Sequence, residues 1–315
     1  MSGARHICGA QFTMFELWVP ITVVAAFLQN LRSALQKYLT GSLSTAGAAY
    51  VRFFYAWPFA ILYCYGLHQF GGFAWPEPNG TFFIYILLGA VTQIMFTVFL
   101  IWLFSFRNFT VGTTFSKTEV IQVAILGFLI LGDTLSITAV VAIIVSLFGV
   151  MALSVSQQKI SWRNLLTSLT EKPTLIGLAS GTFLGASVVF YRGASLSLGG
   201  EGFIMQAAYA LAVATVLQTV LMGLYLRMRE PGQMTAVLRN WKPALMVGVA
   251  GVVGSVGWFT AFTIQNAAYV RALGQIELVF MFLTSVFIFK EKSNAMEVAG
   301  ILAIVAGILI LLLGK

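Results

Sequence analysis

The sequence predicts an all-α integral membrane protein of ten transmembrane helices, built as two inverted five-helix repeats. Three observations predict it. Of the 315 residues, 59% are hydrophobic and only 9% are charged, whereas a soluble domain carries roughly 25% charge. Apolar stretches of the ~20 residues that cross a bilayer recur along the whole chain. One pattern also occurs twice. NFTVGTTFSKTEVIQVAILGFLILGD, from Asn108 to Asp133, runs without a gap against NAAYVRALGQIELVFMFLTSVFIFKE, from Asn266 to Glu291. Asn108 falls on Asn266, Glu119 on Glu277 and Asp133 on Glu291; further along, Gly149 falls on Gly307. Runs of Ile, Leu and Val always align somehow, so the matched polar residues are what mark the duplication. A carboxylate inside a span costs a few kcal/mol, and two at equivalent points imply a use for them.

The spans are read at about 15–36, 46–67, 81–104, 109–131, 136–155, 174–196, 202–226, 243–264, 267–289 and 294–313. The breaks between them carry turn chemistry: Trp75-Pro76-Glu77-Pro78-Asn79-Gly80, Gly132-Asp133, Lys172-Pro173, Gly199-Gly200, Glu230-Pro231-Gly232 and Lys242-Pro243. The longest polar stretches are about 156–173 and 227–242. The first of these divides the chain into a repeat at 1–157, a loop at 158–173 and a repeat at 174–315. Ala48-Ala49-Tyr50 falls on Ala207-Ala208-Tyr209, and Phe104 on Phe262. Five is odd, so the second repeat enters the membrane from the opposite side. In such folds the substrate site lies near the midplane between the repeats.

The formal net charge of +8 resides mostly in short loops, where Lys and Arg set topology and touch lipid headgroups; it does not point to nucleic acid. Lys37, Arg107, Lys159, Arg163, Lys172, Arg227, Arg229, Arg239, Lys242, Lys290 and Lys292 share one side, against Arg5, Arg271 and Lys315 on the side of both termini. The positive-inside rule then places the termini outside. No signal-peptide pattern opens the chain, so the first span is expected to remain in a multi-pass protein of the cytoplasmic (inner) membrane. Cys8 and Cys64 give neither a disulfide framework nor a metal spacing.

Glu119 and Glu277 lie about ten residues into their spans, hence ~15 Å deep, near the centre of a ~30 Å core. They are the leading candidates for binding a cationic or amino group, or a coupling proton. Gly112, Ser116, Glu119 and Gln122 share one helical stripe; Val270, Gly274, Glu277 and Phe280 share the other. Lys117 is two residues from Glu119, so it points away from it and faces either another helix or an anionic substrate group. Arg52 is the better functional candidate in the early spans, because Arg32, near a span end, can snorkel to headgroups. Arg271 opens the ninth span, where it can snorkel or gate. Ser116 and Gln275 complete the candidate polar site. Gln29, Asn30, Gln93, Gln206, Gln218, Gln265 and Asn266 read mainly as interhelical hydrogen bonders. Trp258 and Phe262, with Trp102, Phe96 and Phe104, suit the wall of a cavity for an aromatic or cationic substrate. Trp18, Trp57, Trp75, Trp162 and Trp241 read as an interfacial belt.

No catalytic motif is present, and the histidines are His6 and His68 alone. Gly251, Gly254 and Gly257 form a packing stripe. No cofactor and no metal are expected, and the chain is not expected to be an enzyme. Three readings stay open: a carrier, a channel-like protein without coupled turnover, and a membrane enzyme acting on lipid.

The chain resembles the drug/metabolite transporter superfamily, with two EamA-type domains. The resemblance rests on the five-plus-five spans, on the acidic residue after the fourth span of each half (Asp133, Glu291), and on the glycine-bearing helix that follows (Gly149; Gly300, Gly307). GQIELVFMFLTSVFIFKEKSNAMEVAGILAIVAGILIL, from Gly274 to Leu311, is its most family-like stretch. The resemblance implies a secondary active transporter. It would move a small polar or amphipathic organic metabolite, of amino acid, amine or cofactor type, by alternating access, as a monomer or homodimer. Two features depart from the family. Many EamA domains have proline where this chain has Glu119 and Glu277, and members usually keep both termini in the cytoplasm, opposite to the loop charges here.

Overall fold

The structure, a computed structural model, describes residues 14–39, 41–103, 106, 109–157, 169–200, 202–288, 290 and 292–314. Phe104, Asn108 and Glu291, three of the matched repeat positions, lie outside the described residues. So do His6, Cys8, Trp162, most of the 158–173 loop, and the loop cations Arg5, Arg107, Lys159, Arg163 and Lys315.

Among the described residues there is no strand. The helices are α1 (Met14–Leu39), α2 (Thr45–Phe54), α3 (Trp57–Gly71), α4 (Gly80–Leu103), α5 (Phe109–Ser116), α6 (Glu119–Leu131), α7 (Ile137–Gln157), α8 (Lys172–Ser197), α9 (Phe203–Arg229), α10 (Gln233–Arg239), α11 (Trp241–Ile264), α12 (Ala267–Gly274), α13 (Ile276–Leu283) with a π-helical turn at Thr284–Ile288, and α14 (Ala295–Leu313). Among the described residues, eight helical segments are long and apolar enough to cross a membrane, and Leu17–Arg32 is a shorter apolar one. The expected second span is divided at Tyr55–Ala56. Pro58 has no N–H to donate, and its ring clashes with the carbonyl four residues back, Phe54, which is where α2 stops. The 227–242 stretch, read as a loop, contains the short helix α10.

Local chemistry sets most boundaries. Asn79 accepts from the Phe82 N–H at 2.9 Å at the start of α4. α8 begins with Pro173, whose missing N–H costs nothing in a first turn. α14 opens with a capping box between Asn294 and Glu297. Gly132, at φ 70°, ends α6. The Asp133 N–H then returns to the Gly127 carbonyl at 3.2 Å, closing the helix with a left-handed glycine turn that fixes where Asp133 points.

Spans four and nine are each interrupted immediately before their glutamate. α5 gives way to α6 across Lys117–Thr118, and α12 to α13 at Gln275. The backbone stays bonded through tighter turns: Lys117 N–H to Thr114 O and Thr118 N–H to Phe115 O, both 3.1 Å, and Gln275 N–H to Ala272 O, 3.2 Å. The Thr118 hydroxyl donates to the Phe115 carbonyl at 2.7 Å, the kind of side-chain bond that makes a broken helix tolerable in hydrocarbon.

α1 lies along α11, α4 along α8 and α7 along α14; α5 and α6 pack on α8, while α12 and α13 pack on α1. Helices in lipid associate through close packing at small residues, and that chemistry is visible at each crossing. Gly112 faces Gly177 where α5 meets α8, and a Cβ at Gly257 would stand 2.9 Å from that of Ala25 on α1. A Cβ at Gly149 would stand 2.6 Å from the Gly300 carbonyl oxygen, and Gly307 abuts Ser146. The outward faces stay apolar (Val24, Ile84, Leu129, Phe148, Leu302), as a lipid-facing surface requires. Trp18, assigned to the interfacial belt, is instead 4% exposed inside the main apolar core. Trp75 and Trp241 are exposed, as a belt needs.

Candidate functional site

Breaking spans four and nine places Glu119 and Glu277 in the first turns of α6 and α13. There the N-terminal end of the helix dipole favours a carboxylate. Both are buried. Each takes its cation from the other half of the chain. Arg271, on α12, makes a close ion pair with Glu119 in which both side chains are buried. Lys117, between α5 and α6, stands 3.8 Å from a Glu277 oxygen. The single stripe expected of a continuous helix is therefore replaced by two half-helices, and Lys117 turns to the facing glutamate while Arg271 reaches inward instead of to the headgroups.

The two pairs differ. Arg271 is further held over the Trp258 ring, 5.2 Å from its centroid, a cation–π contact. Trp258 stacks on Phe262 at 5.7 Å, and both rings are buried. Gly274 makes this possible, since a Cβ there would come within 2.8 Å of the Trp258 ring. Glu277 accepts from Gln29 Nε2 at 2.6 Å, and its carbonyl accepts from Asn30 Nδ2 at 3.1 Å, both from α1. Its partner Lys117 keeps 41% of its side chain exposed, so this pair is the looser one. Ser116 and Gln275 are buried at the two breaks. Among the described residues, Gln275 Oε1, Arg271 Nε and Trp258 Nε1 are buried without a hydrogen-bond partner.

Arg52 is not part of this centre. It lies with Arg32, Gln93, Thr215, Gln218 and Ser255 around a separate polar space of about 30 Å³ between α1, α2, α4, α9 and α11. Arg32, expected to reach for headgroups, thus faces the interior. Trp102, expected in a cavity wall, is 51% exposed and faces outward.

The sequence reading missed Arg192 altogether. Its guanidinium donates to both Asp133 oxygens, at 3.0 and 3.3 Å, and to the carbonyls of Phe262 and Gln265, at 2.5 and 2.7 Å. It ties α8 to the α6–α7 turn and to the α11–α12 turn. A lone arginine near the end of an apolar run carries no repeat partner, so only the unusual cost of its charge marked it. Asn266 caps α12, and Gln206 closes the α8–α9 turn.

The crossings at small residues, the broken spans and the internal charges define a polytopic helical membrane protein. Residues 172–313, from the start of α8 to the end of α14, are similar to the EamA-like transporter family. A solved crystal structure of another protein shares the fold, covering 94% of this chain and 96% of that one at a TM-score of 0.68 with 12% identity. At that identity the likeness is one of fold. No curated protein matches the chain.

Proposed function

We propose that the protein is a secondary active carrier, made of inverted repeats at 1–157 and 174–315, that moves a small polar or amphipathic organic molecule across the cytoplasmic membrane by alternating access. The observation that carries this reading is the exchange of ion pairs across the two halves, Glu119 with Arg271 and Glu277 with Lys117, at helix breaks inside apolar spans. Discontinuous helices whose ends face a central site are what such carriers use. The packing is reciprocal in the way an inverted repeat requires: span one on span eight as span six on span three, and span four on span six as span nine on span one.

Within this reading Glu119 and Arg271 form the rigid pair, and Trp258, Phe262 and Gln275 line the substrate side. Glu277 is the exchangeable carboxylate. Its cation is longer-range and half in solvent, so a coupling proton or a substrate amine can replace Lys117 at less cost than it could replace Arg271. Both halves reside in one chain, so a monomer suffices. Counterflow of labelled amino acids, amines and cofactors into proteoliposomes tests the reading. Saturable exchange is expected. Unsaturable flux would assign a channel, and turnover of added phospholipid would assign an enzyme.

A further inference from the structure

The carboxylates Glu119, Asp133 and Glu277 each have a cation of their own. Arg32 and Arg52 make no ion pair at contact distance among the described residues, Glu277 acting on Arg32 only from further away, and they line the same small interior space. Arg32 lies about 10 Å along α1 from its C-terminal end, and Arg52 a similar distance along α2 from its start, at 1.5 Å per residue. An arginine at such depth is expensive and faces a partner or a pathway.

The walls do not supply that partner. Gln93 Oε1 already accepts from Gln218 Nε2 and, at 3.2 Å, from the Tyr191 hydroxyl. The Tyr191 oxygen accepts from Gln218 at 2.9 Å. The Thr215 hydroxyl donates to carbonyls of its own helix at 2.9 and 3.0 Å. Arg52 makes one further contact, with the Phe53 ring 4.8 Å from its guanidinium carbon, and Arg32 Nε is buried without a hydrogen-bond partner. Two like charges therefore share a space in which Gln93 Oε1 already accepts two bonds and the remaining acceptors are neutral. The guanidinium fork matches a carboxylate or phosphate in two parallel bonds, and such an anion would relieve both the repulsion and the unmet donors.

We propose that Arg32 and Arg52 form an oxyanion seat, taking the carboxylate or phosphate group of the transported molecule. The inference rests on the carrier reading and narrows it: the substrate bears a negative group, held apart from the Glu119–Arg271 and Glu277–Lys117 pairs. A zwitterion or an acid fits; a simple cation does not.

The test uses full-length protein in non-ionic detergent, with thermal unfolding followed as sodium phosphate or sodium acetate replaces sodium chloride at constant ionic strength. Ligands that bind the native state raise its stability by mass action. At least one oxyanion is expected to raise Tm saturably, with its Kd increased about tenfold or more in both Arg32→Gln and Arg52→Gln. If the Gln variants do not give monodisperse protein, Arg32→Lys and Arg52→Lys carry the comparison. They keep the charge and lose the planar fork, and a several-fold weaker Kd is expected. No saturable effect in the wild type, or an unchanged Kd in the variants, overturns the proposal. A parallel arm adds phosphatidylglycerol. Arginine-dependent stabilisation by that lipid, with none from the soluble anions, makes the site a headgroup seat and also overturns it. Binding requires no turnover, so the two readings fail separately. Arginine-dependent anion binding without counterflow removes the carrier and keeps the seat. Counterflow that both Arg→Gln variants leave intact removes the seat and keeps the carrier.

Discussion

Glu119 and Glu277 occupy matched positions, yet their surroundings predict different mutants. Arg271 is buried with Glu119 against Trp258. Glu119→Gln leaves that guanidinium without its countercharge, and breaking one side of a buried pair costs about 3 kcal/mol. Thermal unfolding in detergent should show a large fall in Tm for Glu119→Gln, and a smaller one for Glu119→Gln combined with Arg271→Gln, since the pair is lost together. Glu277→Gln keeps the bond to Gln29, whose amide can turn, and loses a 3.8 Å contact with a half-exposed lysine together with its longer-range attraction for Arg32 and Arg271. It should therefore unfold within a few degrees of the wild type. Counterflow measured across a pH series should lose its pH dependence in this variant; an unchanged profile would remove Glu277 from proton coupling.

At the scale of elements, the breaks and the glycine crossings matter most. Span periodicity made ten apolar stretches legible, but not the interruptions at Lys117–Thr118 and Gln275. Neither break contains proline, and each is closed by tighter turns. A hydropathy pattern has no signal for that, because the spans on either side of each short polar cluster remain apolar overall. The second span was different, since Pro58 stood in its middle and its ring dictates where α2 ends. The alignment of Gly149 with Gly307 was visible in the sequence; that the two helices bearing them pack on each other was not. Gly149→Val should wedge α7 away from α14, because the Gly300 carbonyl oxygen and the Ile304 N–H nitrogen would lie 2.6 and 2.7 Å from the new Cβ. Both are backbone atoms that cannot swing aside. Yield of monodisperse protein should collapse for Gly149→Val and stay at the wild-type level for Gly66→Ala, where an added Cβ meets nothing within 4 Å.

Across the whole molecule, one end is fastened by Arg192. It joins Asp133, Phe262 and Gln265, and so links elements of both proposed repeats. In the proposed alternating-access cycle this fastening would open when the opposite end closes. In a background without Cys8 and Cys64, a cysteine replacing the buried Ser195 should react slowly with a membrane-impermeant maleimide. Adding Arg192→Gln should speed the reaction several-fold, and an unchanged rate would show that Arg192 does not hold this end shut. The sequence by itself determined the membrane class and the helical character of its apolar stretches. A bilayer constrains every residue along a span, and each buried charge stands out against its cost. Only the tertiary structure decided which charges meet. Arg271 with Glu119, Lys117 with Glu277, Arg192 with Asp133 and Arg32 beside Arg52 join residues far apart in the chain. Those meetings depend on how each helix is rotated, where it breaks and how closely glycine lets its neighbour approach.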